Sequence, residues 1–124
     1  MKQTLIIHER MPNLNDYTAA FQRNRYIGAA MKKEWTSKVS DQCLLQKLKP
    51  MKSPVRVDFE WYERNSRRDP DNVVFAKKFI LDGLVKAGVL LNDTQKDIAG
   101  FTDSWGVVKG NEGVVISIME VDGV

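Results

Sequence analysis

The sequence predicts an α+β fold, a single domain spanning residues 1–124 with a mixed four-stranded sheet and two main helices in the order β-α-β-α-β-β, assembled as a dimer. Three observations predict it. The chain has 124 residues, 43% of them hydrophobic, which is enough for one core and leaves no room for two. The apolar spacing switches along the chain between a period of two and a period near 3.6, so strands and helices alternate. The second long helical stretch carries more apolar positions than one face can bury, which points to a sheet on one flank and a partner subunit on the other.

The elements follow in order. Residues 3–9 are short and β-branched and end at the turn chemistry of Met11-Pro12-Asn13. Asp16 is placed to cap a helical piece reaching Arg23. From Arg25 the apolar positions Ile27, Met31, Trp35, Val39 and Cys43 recur every four residues, with Leu44 and Leu48 continuing the face until Pro50 stops it. From Pro54 to Arg64 the pattern has period two, with Val55, Val57, Phe59 and Trp61 on one side and Arg56, Asp58, Glu60 and Tyr62 on the other. Asp69-Pro70-Asp71-Asn72 opens a helix running to Ala87, with Gly88 as its C-terminal stop. Val73, Ala76, Ile80 and Leu84 form its stripe, and Phe75 and Phe79 lie off it. Residues 97–108 and 114–121 read as a hairpin around Gly110-Asn111-Glu112-Gly113.

Composition removes several chemistries. Cys43 is the single cysteine and His8 the single histidine, so an intrachain disulfide, a Cys-rich zinc module and an HExxH site are all excluded. GxSxG, Walker A and GxGxxG motifs are absent. Apolar runs reach only about five residues, so neither a membrane span nor a secretion signal is expected, and a reducing, cytoplasmic setting is the expectation.

Charge is arranged in blocks. Residues 23–56 hold nine basic and two acidic residues, whereas residues 57–124 hold eight basic and twelve acidic ones. Such a division fits a polyanion-binding segment and a separate carboxylate group, and the basic block reads equally as the solvated face of an amphipathic helix.

Within the acidic half, Asp69 and Asp71 flank Pro70. Proline disfavours the α region for the residue before it, so the pair can leave an extended segment with both carboxylates converging at a helix start. Two carboxylates held so close repel unless a proton or a hard cation such as Mg²⁺ lies between them. Asp93 is the third candidate ligand. The same residues are also good helix caps with no further role. Lys78 lies seven residues beyond Asp71, nearly two helical turns on the same face, within reach of a phosphate bound there, and Lys77 and Lys78 also fit ordinary helix surface.

Arg67-Arg68-Asp69-Pro70-Asp71-Asn72, Lys78-Phe79-Ile80-Leu81-Asp82-Gly83-Leu84, Ala87-Gly88-Val89 and Asn92-Asp93 resemble, in order and spacing, the RusA family of Holliday junction resolvases, its phage-type members in particular. The likeness extends upstream through Pro12, Asn15, Tyr17, Arg23-Asn24-Arg25-Tyr26, Met31-Lys32-Lys33-Glu34 and Phe59-Trp61-Tyr62-Glu63, and so covers nearly the whole chain. It implies a homodimeric, Mg²⁺-dependent endonuclease, with Mn²⁺ able to substitute, that cuts four-way DNA junctions symmetrically in recombination and repair, encoded by a phage or prophage and acting in the host cytoplasm. Asp69, Asp71 and Asp93 match the family's metal-binding aspartates, Lys78 its catalytic lysine and Arg68 a basic residue in DNA contact. Arg23, Arg25, Lys32 and Lys33 are the further DNA-binding candidates, on the basic helix. Two departures stand out. The better-known spacing puts the lysine where this chain has Phe75, and Asn92 stands where an additional aspartate is frequent. The rival expectations are a nuclease of broader branched-DNA preference and a non-catalytic DNA-binding protein.

Overall fold

The structure, a computed structural model, describes residues 1–122. Strand β1 (Lys2–Ile7) leads through a capped loop to helices α1 (Leu14–Arg23) and α2 (Arg25–Leu45). Strand β2 (Val55–Glu63) is followed by α3 (Pro70–Val74) and α4 (Lys77–Lys86), then by β3 (Ile98–Val107) and β4 (Gly113–Glu120). The result is one α+β domain whose helices cover one face of a mixed four-stranded sheet of order β1-β4-β2-β3.

That order corrects the expected hairpin. β4 does not pair with β3; it lies antiparallel between β1 and β2, while β3 pairs parallel to β2 at the far side. Burial explains the choice. Val114, Ile116 and Ile118 of β4 are buried, as a central strand requires, whereas β3 alternates with Thr102, Asp103 and Ser104 and tolerates an edge. Residues 108–112 cross the end of β2, where the Val108 N–H donates to the Glu63 carbonyl.

The two expected helices are each a pair of segments. Asn13, not Asp16, caps α1. Its side chain accepts from the Asp16 N–H (2.9 Å) and the Asp16 carboxylate accepts from the Asn13 N–H (3.0 Å), a reciprocal capping box. Asn24 ends α1 in an extended conformation and caps α2 by accepting from the Tyr26 N–H at 2.7 Å. α2 stops at Leu45, short of Pro50, because Lys47 turns left-handed (φ 59°) and the Leu48 N–H closes back on the Cys43 carbonyl, while the Gln46 side chain pairs with the backbone of β1. The four-residue stripe is only partly inward: Val39 and Cys43 are buried, while Ile27 and Leu44 remain exposed.

α3 and α4 are separated by Phe75 and Ala76, where the bonds shorten to i→i−3, as in Ala76 N–H to Val73 and Lys78 N–H to Phe75. Val73, Ala76, Phe79, Ile80 and Leu84 all reach the core. The second apolar flank is covered within the chain: the Tyr17 ring of α1 lies 5.1 Å from Phe75 and 5.8 Å from Phe79, so these side chains do not call for a partner. α2 crosses α4 closely at Gly83, where a Cβ would come within 2.5 Å of Val39.

Candidate active site and nucleic-acid face

The crossover from β2 through α3 and α4 to β3 decides where the three aspartates go. Asp69 and Asp71 follow the C-terminal end of β2, and the helices then run back so that Asp93 precedes the N-terminal end of β3. β2 and β3 are parallel, with Val55 beside Ile98 and Glu63 beside Val107. Nine residues of strand at about 3.3 Å each, roughly 25–30 Å, therefore separate the end of the sheet that Asp69 and Asp71 follow from the end that Asp93 precedes. The expected convergence of Asp69, Asp71 and Asp93 within one chain is corrected accordingly. Among the described residues no three His, Cys, Asp or Glu side chains gather as a metal group.

At the β2 exit, Asp69 is extended (φ −67°, ψ 142°) and occupies the N-cap of α3, with Pro70 at the first helical position and Asp71 in the first turn. Only Asp69 is strand-like, since its carbonyl already accepts from the Asn72 and Val73 N–H groups. Its side chain makes no capping bond, and both aspartates are exposed. Capping therefore does not account for either carboxylate. Beside them, Ser66, Arg68, Pro70, Trp105 and Val107 line a hollow of about 300 Å³ that opens onto the edge of β3.

Arg68 does not reach outward for DNA. Its guanidinium donates to both oxygens of Glu63 (2.6 and 2.9 Å) and to the Met11 carbonyl (3.1 Å), and both side chains are nearly buried. It ties the β2 exit to the loop before α1, and Arg64 and Arg67 are the exposed cations nearby. The signal was present in the sequence: continuing the β2 alternation past Trp61 puts Glu63 on the inward face, where a carboxylate needs a cation.

The two lysines divide. Lys78 is 52% exposed and holds only a loose contact to Asp82 at 3.4 Å. Lys77 is 17% exposed, donates to Asp103 at 2.7 Å and lies over the rings of Phe101 (4.5 Å) and Phe59 (5.0 Å). Asp103 also accepts from the Trp61 indole at 2.8 Å. The tightened turn at Phe75–Ala76 advances each residue by about 120° instead of 100°, so the two-turn alignment of Lys78 with Asp71 is lost and Lys77 faces the sheet.

At the opposite end, Asp97 organises the approach to β3. Its carboxylate accepts from the Thr94 hydroxyl (2.6 Å) and N–H (3.2 Å) and from the Ser53 hydroxyl (2.8 Å), which hold its carboxyl below the usual range. This turn presents Asp93, half-buried, with no hydrogen bond to its carboxylate among the described residues.

On α1 and α2, Arg23, Arg25 and Lys33 are exposed and Lys32 is half-buried; none forms an ion pair among the described residues. Lys38 is engaged by Glu9 and Glu34 and lies 4.2 Å over Trp35.

A scan against protein-family models and a search of curated proteins returned no match. No helix among the described residues is long and apolar enough to cross a membrane.

Proposed function

We propose that this chain is a divalent-metal-dependent endonuclease for four-way or similarly branched DNA, and that its acidic site is completed between two copies. The observation that carries this reading is the placement of the aspartates at opposite ends of one free strand edge. β3 is ten residues long, and no backbone or side-chain group among the described residues bonds to its outer edge. Phe101, Trp105 and Val107 on its helix-side face are 42, 47 and 59% exposed. An uncovered edge with exposed apolar side chains is a template for a second strand. Two-fold antiparallel pairing of β3 with the same strand of a second copy sets the end of one β3 beside the start of the other. Asp69 and Asp71 of one copy then share a neighbourhood with Asp93 of the second, twice over.

The three carboxylates would hold a divalent ion, which supplies an activated water and neutralises charge on the scissile phosphate. Lys78 no longer shares a face with Asp71, but its loose partner and long side chain leave its ammonium free to swing toward that phosphate, and its role rests on that reach. Arg64 and Arg67 take the flanking backbone phosphates in place of Arg68, and Arg23, Arg25, Lys32 and Lys33 extend the basic surface, so affinity falls steeply with salt. Two symmetry-related sites suit a substrate with two symmetry-related strands.

Mixing inactive variants tests the arrangement. Asp71→Asn and Asp93→Asn are each expected to bind a synthetic immobile junction and to leave it uncut in Mg²⁺. Mixed and allowed to exchange subunits, they form heterodimers that retain one intact site and restore nicking. A mixture that stays silent although heterodimers form rejects the shared site, and nicking by Asp71→Asn alone rejects the assignment of the aspartates. Binding without cleavage by the wild type in any divalent metal leaves the non-catalytic DNA-binding reading.

A further inference from the structure

Between α1 and α2 the chain makes a capped elbow whose outer surface is exposed. Asn24 closes one helix and caps the next, and Gly28 lets the Phe21 ring lie directly on the α2 backbone, where a Cβ would sit 2.2 Å from it. Phe21 contacts Tyr17 at 4.8 Å and Tyr17 contacts Phe75 at 5.1 Å, so an aromatic row connects the elbow to the helix that carries Asp71. At the tip stands Tyr26, 67% exposed. The Arg25 guanidinium lies 5.0 Å over its ring and donates to its hydroxyl at 3.0 Å.

A planar aromatic–guanidinium pair held in water on a fixed backbone has a definite chemistry. It offers a π-face and a cation together, the combination that stacks a nucleobase and neutralises its phosphate. The surrounding charge selects the partner. Arg23 flanks the pair, and the first turn of α2 contains no acidic residue to balance the positive end of the helix. A second copy docking here by two-fold symmetry would oppose these arginines with their own counterparts, whereas a polyanion relieves them.

We infer that Arg25 and Tyr26 form a stacking platform for an unpaired or unstacked base of branched DNA. The inference rests on the DNA-binding part of the proposed function and is independent of hydrolysis. It adds a base-contacting element to a surface otherwise suited only to phosphates. α1 spans ten residues at about 1.5 Å each, so the platform stands about 15 Å along that helix from the loop that Arg68 ties down. The distance suits a base displaced at a branch point while the backbone passes the aspartates.

Binding measured in EDTA tests it, with a forked duplex carrying 2-aminopurine at an unpaired position next to the branch and a fully paired duplex of equal charge. Tyr26→Ala is expected to weaken fork binding about tenfold, from the cost of one lost stack, with less than about twofold change on the duplex and loss of the 2-aminopurine quenching. Tyr26→Phe retains both affinity and quenching. Tyr26→Leu, which keeps bulk and removes the π-face, behaves as Tyr26→Ala and guards against a folding artefact. Unchanged fork affinity in Tyr26→Ala, or an equal loss on fork and duplex, overturns the platform. A wild-type chain that stacks the base in EDTA yet cuts no branched DNA in any divalent metal sinks the hydrolytic reading alone.

Discussion

The two edges of the sheet are treated in opposite ways. Along β1 the outer edge is capped at Ile6. Gln46 sends its side-chain amide to both the N–H and the carbonyl of Ile6, at 2.9 and 2.7 Å, and in the reverse sense the Gln3 side chain ties the Lys49 backbone to the strand, at 2.7 Å in each direction. Along β3 nothing comparable is present among the described residues, and the helical layer stops over β2 and leaves Phe101, Trp105 and Val107 half in water. An edge blunted by a side-chain amide is a poorer template for another strand than an open one. The difference makes β3 the edge on which the proposed pairing of two copies rests.

The comparison can be broken first in the interior. Ile116→Ala in β4 removes a fully buried side chain from the central strand and is expected to cost about 2–5 kcal/mol in urea unfolding. Trp105→Ala at the open edge is expected to cost about 1 kcal/mol or less in dilute protein. A comparable loss at both positions would mean that β3 is covered. Next in size is the tie that holds β3 to α4. Lys77→Ala leaves Asp103 with only the Trp61 indole and is expected to cost about 1–3 kcal/mol and to speed hydrogen exchange along β3. Lys78→Ala should fall within about 0.5 kcal/mol. Equal effects of the two lysines would contradict the division between them.

At the closed edge, Gln46→Ala frees the Ile6 amide and carbonyl. A loss of about 1 kcal/mol is expected, with a new concentration-dependent association through β1 seen by sedimentation. The smallest effect is local to the start of β3. Because the Thr94 and Ser53 hydrogen bonds lower the Asp97 carboxyl, their stabilisation is complete above the unfolded value of about 3.9 and declines as pH falls toward the lower native one. Amide exchange at Thr94–Ile98 followed through that acid range should show the turn loosening before the sheet. A turn that instead loosens as pH rises would reverse the sign and remove Asp97 from the role.

Much of this architecture could be read along the chain. The alternation of β2 from Val55 to Trp61 is borne out residue by residue, and the helix at Arg25 and the stop at Gly88 (φ +78°) follow from local chemistry. The break at Phe75–Ala76 could not be read, because it arises from fitting Val73, Ala76, Phe79 and Ile80 to the sheet together. Residues 97–121 look like a hairpin because turn residues between two alternating segments give the same pattern whether or not the strands pair. Arg68 matched a motif by position, but its environment depends on the inward-facing Glu63.

Sequence alone determined which segments are helix or strand, which faces are apolar and which side chains could carry metal or phosphate chemistry, because these depend on spacing within a few residues. Tertiary structure decided strand order, the closed and open edges, the capture of Arg68 and Lys77, and the separation of Asp93 from Asp69 and Asp71. Those outcomes depend on which segments compete for the same buried space, a quantity that no local pattern contains.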